Sequence, residues 1–189
     1  MMERTLCIPY LTAALSITQL FIDGNAHAQT TAQPSLCHAS ETIFFNCIVG
    51  HHDKIASLCG TGNLAAKGQL HYRFGQPQHL ELDYPKTGMG IANFTYSHYS
   101  RFQVDRTVVS FEKGRYRYRI FDSQEGDIAP SQHQLGVQVS PPHGHGKPVT
   151  LYCRFPATSD LQALKDILAC NKTDPLNMGT CVSSKKNIR

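Results

Sequence analysis

Six cysteines beyond the start of the chain are the residues with the most readable chemistry. They are Cys37, Cys47, Cys59, Cys153, Cys170 and Cys181. An even set of thiols is oxidised to disulfides when a protein folds in an oxidising compartment. The spacing contains no C-x-x-C pair, which structural zinc sites and redox enzymes typically use. The cysteines therefore favour a disulfide framework over a metal site or thiol catalysis.

The pairing of these cysteines is not fixed by the sequence, because six thiols allow fifteen combinations. Closeness along the chain favours two local bridges and one long one. The pairing predicted on this basis is Cys47–Cys59, Cys170–Cys181 and Cys37–Cys153. The long bridge would close a loop of over a hundred residues, for which chain-entropy models give up to about 4–5 kcal/mol.

Four histidines lie in two close clusters within predicted loops. They are His51, His52, His143 and His145. Neighbouring imidazoles can share copper, nickel or zinc. A structural zinc site needs about four converging ligands, and loop histidines are more often exposed polar residues. We therefore keep these four as weak metal candidates and predict no cofactor.

Signals for catalysis are sparse. The chain contains neither a G-x-S-x-G nor an H-E-x-x-H motif. Glu81 and Asp83 share one strand face, as a glycosidase pair could, but their Arg and His neighbours are typical of an ordinary outer face. We predict no catalytic residue and no enzymatic activity.

Arginines alternate along one predicted strand, at Arg115, Arg117 and Arg119. Side chains two residues apart share a strand face and lie about 7 Å apart. Three guanidinium groups on one face form a positive ridge that could bind an acidic protein, a phosphate or an anionic polymer. The alternative is a solvated face whose charges discourage aggregation. These arginines are the candidate binding surface.

The start of the chain has the three parts of an export signal. Arg4 precedes an apolar run over residues 6–22, and Ala26-His27-Ala28 offers small residues for a signal peptidase. Residues 1–28 are therefore predicted to be removed before Gln29. The apolar run is too short and diluted for a membrane anchor, which needs about 20 apolar residues. The expected product is periplasmic or secreted, without a transmembrane segment.

Removing 28 of 189 residues leaves 161, enough for one domain. The removed part holds one of the 18 basic and two of the 14 acidic residues, so the formal charge becomes 17 minus 12, or +5. This excess is mild and scattered, and an exported protein rarely meets nucleic acid, so we predict no nucleic-acid partner. Another envelope or secreted protein is the expected partner.

Alternating apolar residues predict a chain made mainly of strands. The predicted strands are 43–49, 55–59, 70–74, 80–84, 94–99, 106–111, 115–121, 135–139 and 149–155. Leucine and isoleucine spacing from residue 159 to 170 predicts one C-terminal α-helix. The fold is thus an antiparallel β-meander forming a sandwich or small barrel. A flexible segment (29–41), one domain (42–171) and a polar tail (172–189) follow the signal.

Several short motifs lie between residues 37 and 155, namely Phe45-x-Cys47, Ser57-Leu58-Cys59, Tyr72-Arg73-Phe74-Gly75, Glu81-Leu82-x-Tyr84-Pro85 and Leu151-x-Cys153. In this order they resemble the motifs of a group of small exported proteobacterial proteins of unknown function. They consist of strands and cysteines, so the resemblance implies a shared scaffold and carries over no catalytic residue. The chain also has a distant likeness to periplasmic lysozyme inhibitors, which are small disulfide-bonded β-barrels, although it lacks a convincing inhibitory loop.

These features together favour a non-catalytic binding protein of the cell envelope. An inhibitor or immunity-type protein against a wall-attacking enzyme is the leading version, because a small disulfide-bonded scaffold displays loops well. Two alternatives stay open: an enzyme acting on envelope polymers, and a structural or ligand-carrying envelope protein.

Overall fold

Ten strands form a single sheet in the computed structural model, which describes residues 33–50, 52–86, 90–142 and 145–177. The strands are β1 (Thr42–Val49), β2 (Lys54–Thr61), β3 (Gln69–Gln76), β4 (His79–Tyr84), β5 (Phe94–Arg101), β6 (Val104–Lys113), β7 (Tyr116–Glu125), β8 (Gln132–Ser140), β9 (Val149–Ser159) and β10 (Ala169–Cys170). Each predicted strand overlaps one of β1 to β9, which confirms the mainly β class.

Strands β1 to β4 and β5 to β9 form two antiparallel meanders, which join where β9 pairs with β1, and β10 pairs with β5 in parallel. The strand order is β10-β5-β6-β7-β8-β9-β1-β2-β3-β4. Strand β9 serves both meanders, because residues 149–152 pair with β8 and residues 153–159 pair with β1. The register places partners on the same face, so Val109 of β6 and Ile120 of β7 both reach the core.

Aromatic rings from both meanders fill the inside of the curled sheet. The ring of Phe111 on β6 stacks 4.7 Å from Tyr118 on β7 and 4.7 Å from Tyr84 on β4. Phe94 on β5 lies 5.4 Å from Phe111, and Tyr72 on β3 lies 5.2 Å from it. Because β4 and β5 stand near opposite ends of the strand order, these contacts require the sheet to curl. The predicted sandwich or barrel is a half-barrel made of one sheet.

Two of the three predicted disulfides, Cys47–Cys59 and Cys37–Cys153, are wrong. The two bridges between described cysteines are Cys37–Cys59 and Cys47–Cys153. Cys47 lies opposite Ala56 in the β1–β2 hairpin, which leaves Cys59 three positions further along β2. That offset is roughly 10 Å, more than a disulfide spans. Strand β9, on the other side of β1, brings the Cα of Cys153 within 5.5 Å of Cys47 instead.

The segment before β1, predicted to be flexible, is fixed to the sheet from residue 36 onward. It lies on the face of β1–β3 opposite the core. The Leu36 amide donates to Ser57 Oγ at 3.1 Å, and Arg73 Nη1 donates to the Leu36 carbonyl at 3.2 Å. Arg73 also forms an ion pair with Glu41, whose side chain is 3% exposed. With the Cys37–Cys59 bridge, these contacts hold the segment.

The predicted C-terminal α-helix is wrong. Among the described residues, the helical elements are two 3₁₀ turns, Leu161–Leu164 and Pro175–Asn177. The leucines whose spacing suggested the helix are buried, namely Leu161, Leu164 and Leu168. A spacing of three residues is also the period of a 3₁₀ turn, so burial alone does not select an α-helix. The chain then forms β10, whose parallel pairing with β5 a longer helix would prevent.

Several predictions concern the two ends of the chain. The signal peptide lies outside the described residues, and so do Cys181 and residues 178–189 of the polar tail. Cys170, the predicted partner of Cys181, is disulfide-bonded. No helix in the part of the chain that the structure describes is long and apolar enough to cross a membrane.

Candidate functional site

The three predicted arginines lie at the β6–β7 hairpin, and the strand pattern decides where they point. Gly114 takes a φ of 62° in the turn, a conformation that favours glycine. Tyr118 of β7 faces the aromatic core, so Arg117 and Arg119 alternate onto the outer face of the sheet. Arg115 belongs to the turn, one residue before β7 begins.

All three arginines line one open pocket of about 340 Å³. On the arginine side, Glu112 of β6 completes the wall. The opposite wall consists of Gln138 and Ser140 of β8 and of the loop from β8 to β9. That loop contributes three prolines, Pro141, Pro142 and Pro148. Proline fixes the backbone φ at these three positions.

The arginines differ in how firmly they are paired. Arg115 is exposed, and no carboxylate of the described residues forms an ion pair with it. Arg117 donates to Glu112 Oε1 from Nε at 3.2 Å and from Nη2 at 3.1 Å, with side chains 45% and 65% exposed. Exposed pairs of this kind contribute about 0–1 kcal/mol and are screened by salt. Arg117 can therefore exchange Glu112 for another carboxylate at little cost.

Arg119 forms an ion pair with a buried carboxylate, Asp174, which the sequence analysis did not single out. Asp174 is 3% exposed, and its carboxylate lies 3.3 Å from Arg119 Nη2. The same carboxylate accepts a hydrogen bond from the Leu176 amide at 3.0 Å, which starts the second 3₁₀ turn. The sequence signal was the Asp174-Pro175 dipeptide, which indicates a turn. It does not indicate that the turn packs on β7, fifty-five residues away.

The side chains of this pocket have the chemistry that suits an anion. Guanidinium groups carry only hydrogen-bond donors and stay charged at all physiological pH values, so they neither accept nor transfer protons here. Arg115 and Arg117 present two such groups on one rim of the pocket. A carboxylate or phosphate would be bound there through paired N–H donors.

The two candidate histidines that the structure describes do not form part of a metal site with other described residues. His52 and His145 are exposed. His51 and His143 lie outside the described residues, so their clusters stay untested.

One group of potential metal ligands does lie close together, Cys37, Glu41 and Cys59, with ligand atoms within 4.8 Å of one another. The two sulfurs are joined in a disulfide, and the Glu41 carboxylate is paired with Arg73. Disulfide sulfur is not a thiolate ligand. This cluster is therefore part of the scaffold.

The carboxylates considered for glycosidase chemistry are both ion-paired. Glu81 lies 2.9 Å from Lys54 Nζ, and Asp83 lies 3.4 Å from Arg73 Nε. Both carboxylates therefore have cationic partners on the sheet, as expected for an ordinary outer face.

Comparison with known proteins adds no assignment: no family model matches the chain, and no curated protein or solved structure matches it significantly.

Proposed function

We propose that this protein is an exported, non-catalytic binding protein of the cell envelope that docks an acidic partner on the pocket of Arg115, Arg117 and Arg119. The observation that carries the proposal is Arg115, an exposed cation without a carboxylate partner among the described residues, beside the weakly paired Arg117. The partner is another envelope or secreted protein with a carboxylate-rich surface. An inhibitor or immunity-type role against a wall-attacking enzyme is the specific version.

The scaffold supports this role. Two disulfides tie the N-terminal segment and β9 to the first hairpin, and bonds of this kind are typical of proteins that fold in an oxidising compartment such as the periplasm. A rigid scaffold loses little conformational entropy when it binds, which favours affinity. The predicted signal peptide would supply the export.

The alternatives have less support. An enzyme acting on envelope polymers needs titratable groups that converge on a pocket, whereas this pocket offers three guanidinium groups and one carboxylate, Glu112, which is paired with Arg117. A ligand carrier needs a cavity inside the barrel, whereas stacked rings of Tyr84, Phe111 and Tyr118 fill the inside of the curl.

The test replaces the two weakly held arginines by neutral residues. Arg115→Gln/Arg117→Gln should weaken binding of a fluorescent glutamate-rich peptide about tenfold at low salt. The melting temperature should change by no more than about 2 °C, because both side chains are exposed. Arg119 is left intact, since its loss would strand the buried Asp174 carboxylate. Fluorescence anisotropy gives the affinity.

A charge-matched control separates a site from general attraction. Lys67→Gln/Arg154→Gln also removes two exposed cations, away from the pocket. This variant should bind the peptide as the original protein does; an equal loss in both variants would contradict a specific site. Proteins that the original chain and the control retain from an envelope extract, and the pocket variant does not, would identify the partner.

A further inference from the structure

A second cleft lies on the outer face of β6 to β9 and has a different chemistry. Its volume is about 310 Å³, close to the lower limit of small-molecule sites, about 300 Å³. It shares Arg119 and Gln138 with the arginine pocket but extends along the sheet toward Tyr152 of β9. Leu176, in the second 3₁₀ turn, closes one side of it.

The floor of this cleft is aromatic, which is unusual on the solvent side of a sheet. Phe121 of β7 lies opposite Gly136 of β8, and Tyr152 of β9 lies opposite the same glycine. A Cβ atom at Gly136 would come within 2.7 Å of the Phe121 ring and 2.5 Å of the Leu151 carbonyl oxygen. The glycine thus leaves space for the Phe121 ring to lie on the sheet.

The two rings expose a surface to solvent. Tyr152 stands edge-on to Phe121, with ring centroids 6.0 Å apart and an interplanar angle of 85°. Tyr152 is 55% exposed. Because the two rings are perpendicular, a ligand that packs on the face of one ring meets the edge of the other, and this apolar surface is poorly solvated by water.

Polar side chains surround the two rings. Gln138 donates to Thr150 Oγ1 at 3.3 Å, and Gln134 lies on the same wall. Arg106 is paired with Glu125 at 2.9 Å, and Arg119 with Asp174. The charges of Arg106 and Arg119 are already compensated by these carboxylates, and the amide side chains of Gln134 and Gln138 line the cleft beside them. A charged ligand is not required here, but a ligand with many hydroxyl groups is well matched.

We infer that this cleft binds a neutral saccharide ring. A pyranose has a flat C–H face, which packs on the exposed Tyr152 ring beside the Phe121 ring, and a rim of hydroxyl groups, which exchange hydrogen bonds with Gln134, Gln138 and Arg106. Amides donate and accept at once, as hydroxyl groups do, so the two sets are complementary. The inference goes beyond the proposed function, because it concerns a glycan rather than an acidic protein and different residues carry it.

The experiment follows backbone amide signals by NMR during titration with three soluble probes, chitotetraose, cellotetraose and maltotetraose. At least one probe should cause saturable shifts centred on Gly136, Gln134 and Gln138, with a dissociation constant of about 1 mM or tighter. Tyr152→Ala should weaken that binding about tenfold. Tyr116→Ala, which removes another half-exposed tyrosine at the start of β7, should not change it.

The experiment distinguishes failure of the saccharide cleft from failure of the arginine pocket. Absence of saturable shifts with all three probes, or an unchanged affinity in Tyr152→Ala, would overturn the inference. If Tyr152→Ala is not folded by its amide spectrum, Gln134→Ala at the exposed wall supplies the same test. Arg115→Gln/Arg117→Gln should keep saccharide binding, and Tyr152→Ala should keep peptide binding, so either site can fail alone.

Discussion

Removal of the Cys47–Cys153 bridge should lower the free energy of unfolding by about 5 kcal/mol. The two cysteines are 106 residues apart in sequence, so the bridge restricts most of the unfolded chain. Cross-linking lowers the conformational entropy of the unfolded state, and this effect grows with the length of the closed loop. Urea unfolding of Cys47→Ala/Cys153→Ala, followed by circular dichroism, measures the loss.

The matched control removes the shorter bridge. Cys37→Ala/Cys59→Ala opens a loop of sequence separation 22, for which the same model gives about 3 kcal/mol. The order of the two losses is the prediction. A larger loss from the shorter bridge would show that contacts of the N-terminal segment in the folded state, and not loop length, dominate.

The strands could be predicted because their signal is local. In β3, Leu70 and Tyr72 alternate with polar residues and are buried, as period-two patterning requires. The neighbour relation between β9 and β1 joins segments about a hundred residues apart, and no local pattern encodes it. That relation decides the partner of Cys47, which is why the predicted Cys47–Cys59 and Cys37–Cys153 bridges were wrong.

The prediction of a C-terminal α-helix failed for a related reason. The spacing of the leucines near residue 164 predicts which side chains are buried, and the structure confirms that burial. It does not report that the open edge of β5 is available to pair with β10. Formation of a ladder with that edge competes with helix extension, and tertiary context overrides a local helical preference.

The candidate site was predictable in part. Alternation along β7 places Arg117 and Arg119 on the outer face without knowledge of the fold. The difference between them was not predictable, because it depends on Asp174 packing against β7 from a distant segment. The three arginines are therefore not equivalent: Arg115 and Arg117 are available to a partner, and Arg119 supports the structure.

Arg73→Met should be the second severe change, with a loss of about 3–5 kcal/mol at neutral pH. Arg73 and Glu41 are 5% and 3% exposed, and Arg73 Nη2 donates to Glu41 Oε1 at 2.9 Å. Methionine keeps most of the volume but leaves the Glu41 carboxylate buried without its cation. It also leaves the Leu36 carbonyl without the guanidinium donor. Chemical denaturation at pH 7 measures the loss.

Two further variants show whether the stranded charge is the cause. Glu41→Gln/Arg73→Met removes both charges and should recover a large part of the stability, because two neutral groups cost less to bury than one carboxylate. Arg154→Met breaks an exposed pair with Asp53 and should cost less than about 1 kcal/mol. If the double variant is no more stable than Arg73→Met, lost packing rather than charge explains the effect.

The pH dependence gives an independent check. Burial raises the pKa of Glu41, but hydrogen bonds from Arg73 and the His38 amide outweigh it, so the net pKa is lowered. A lowered folded-state pKa means that the unfolded chain binds the proton first as pH falls. The stabilisation is therefore full above the ordinary glutamate pKa of about 4.3 and is lost as the pH falls through the folded-state pKa.

In Arg73→Met the Glu41 carboxylate, which has lost its cation, should take up a proton more readily and become neutral. The stability difference between the original protein and Arg73→Met should thus narrow between about pH 7 and pH 3. A difference that stays constant over this range would exclude the Glu41 charge as its source.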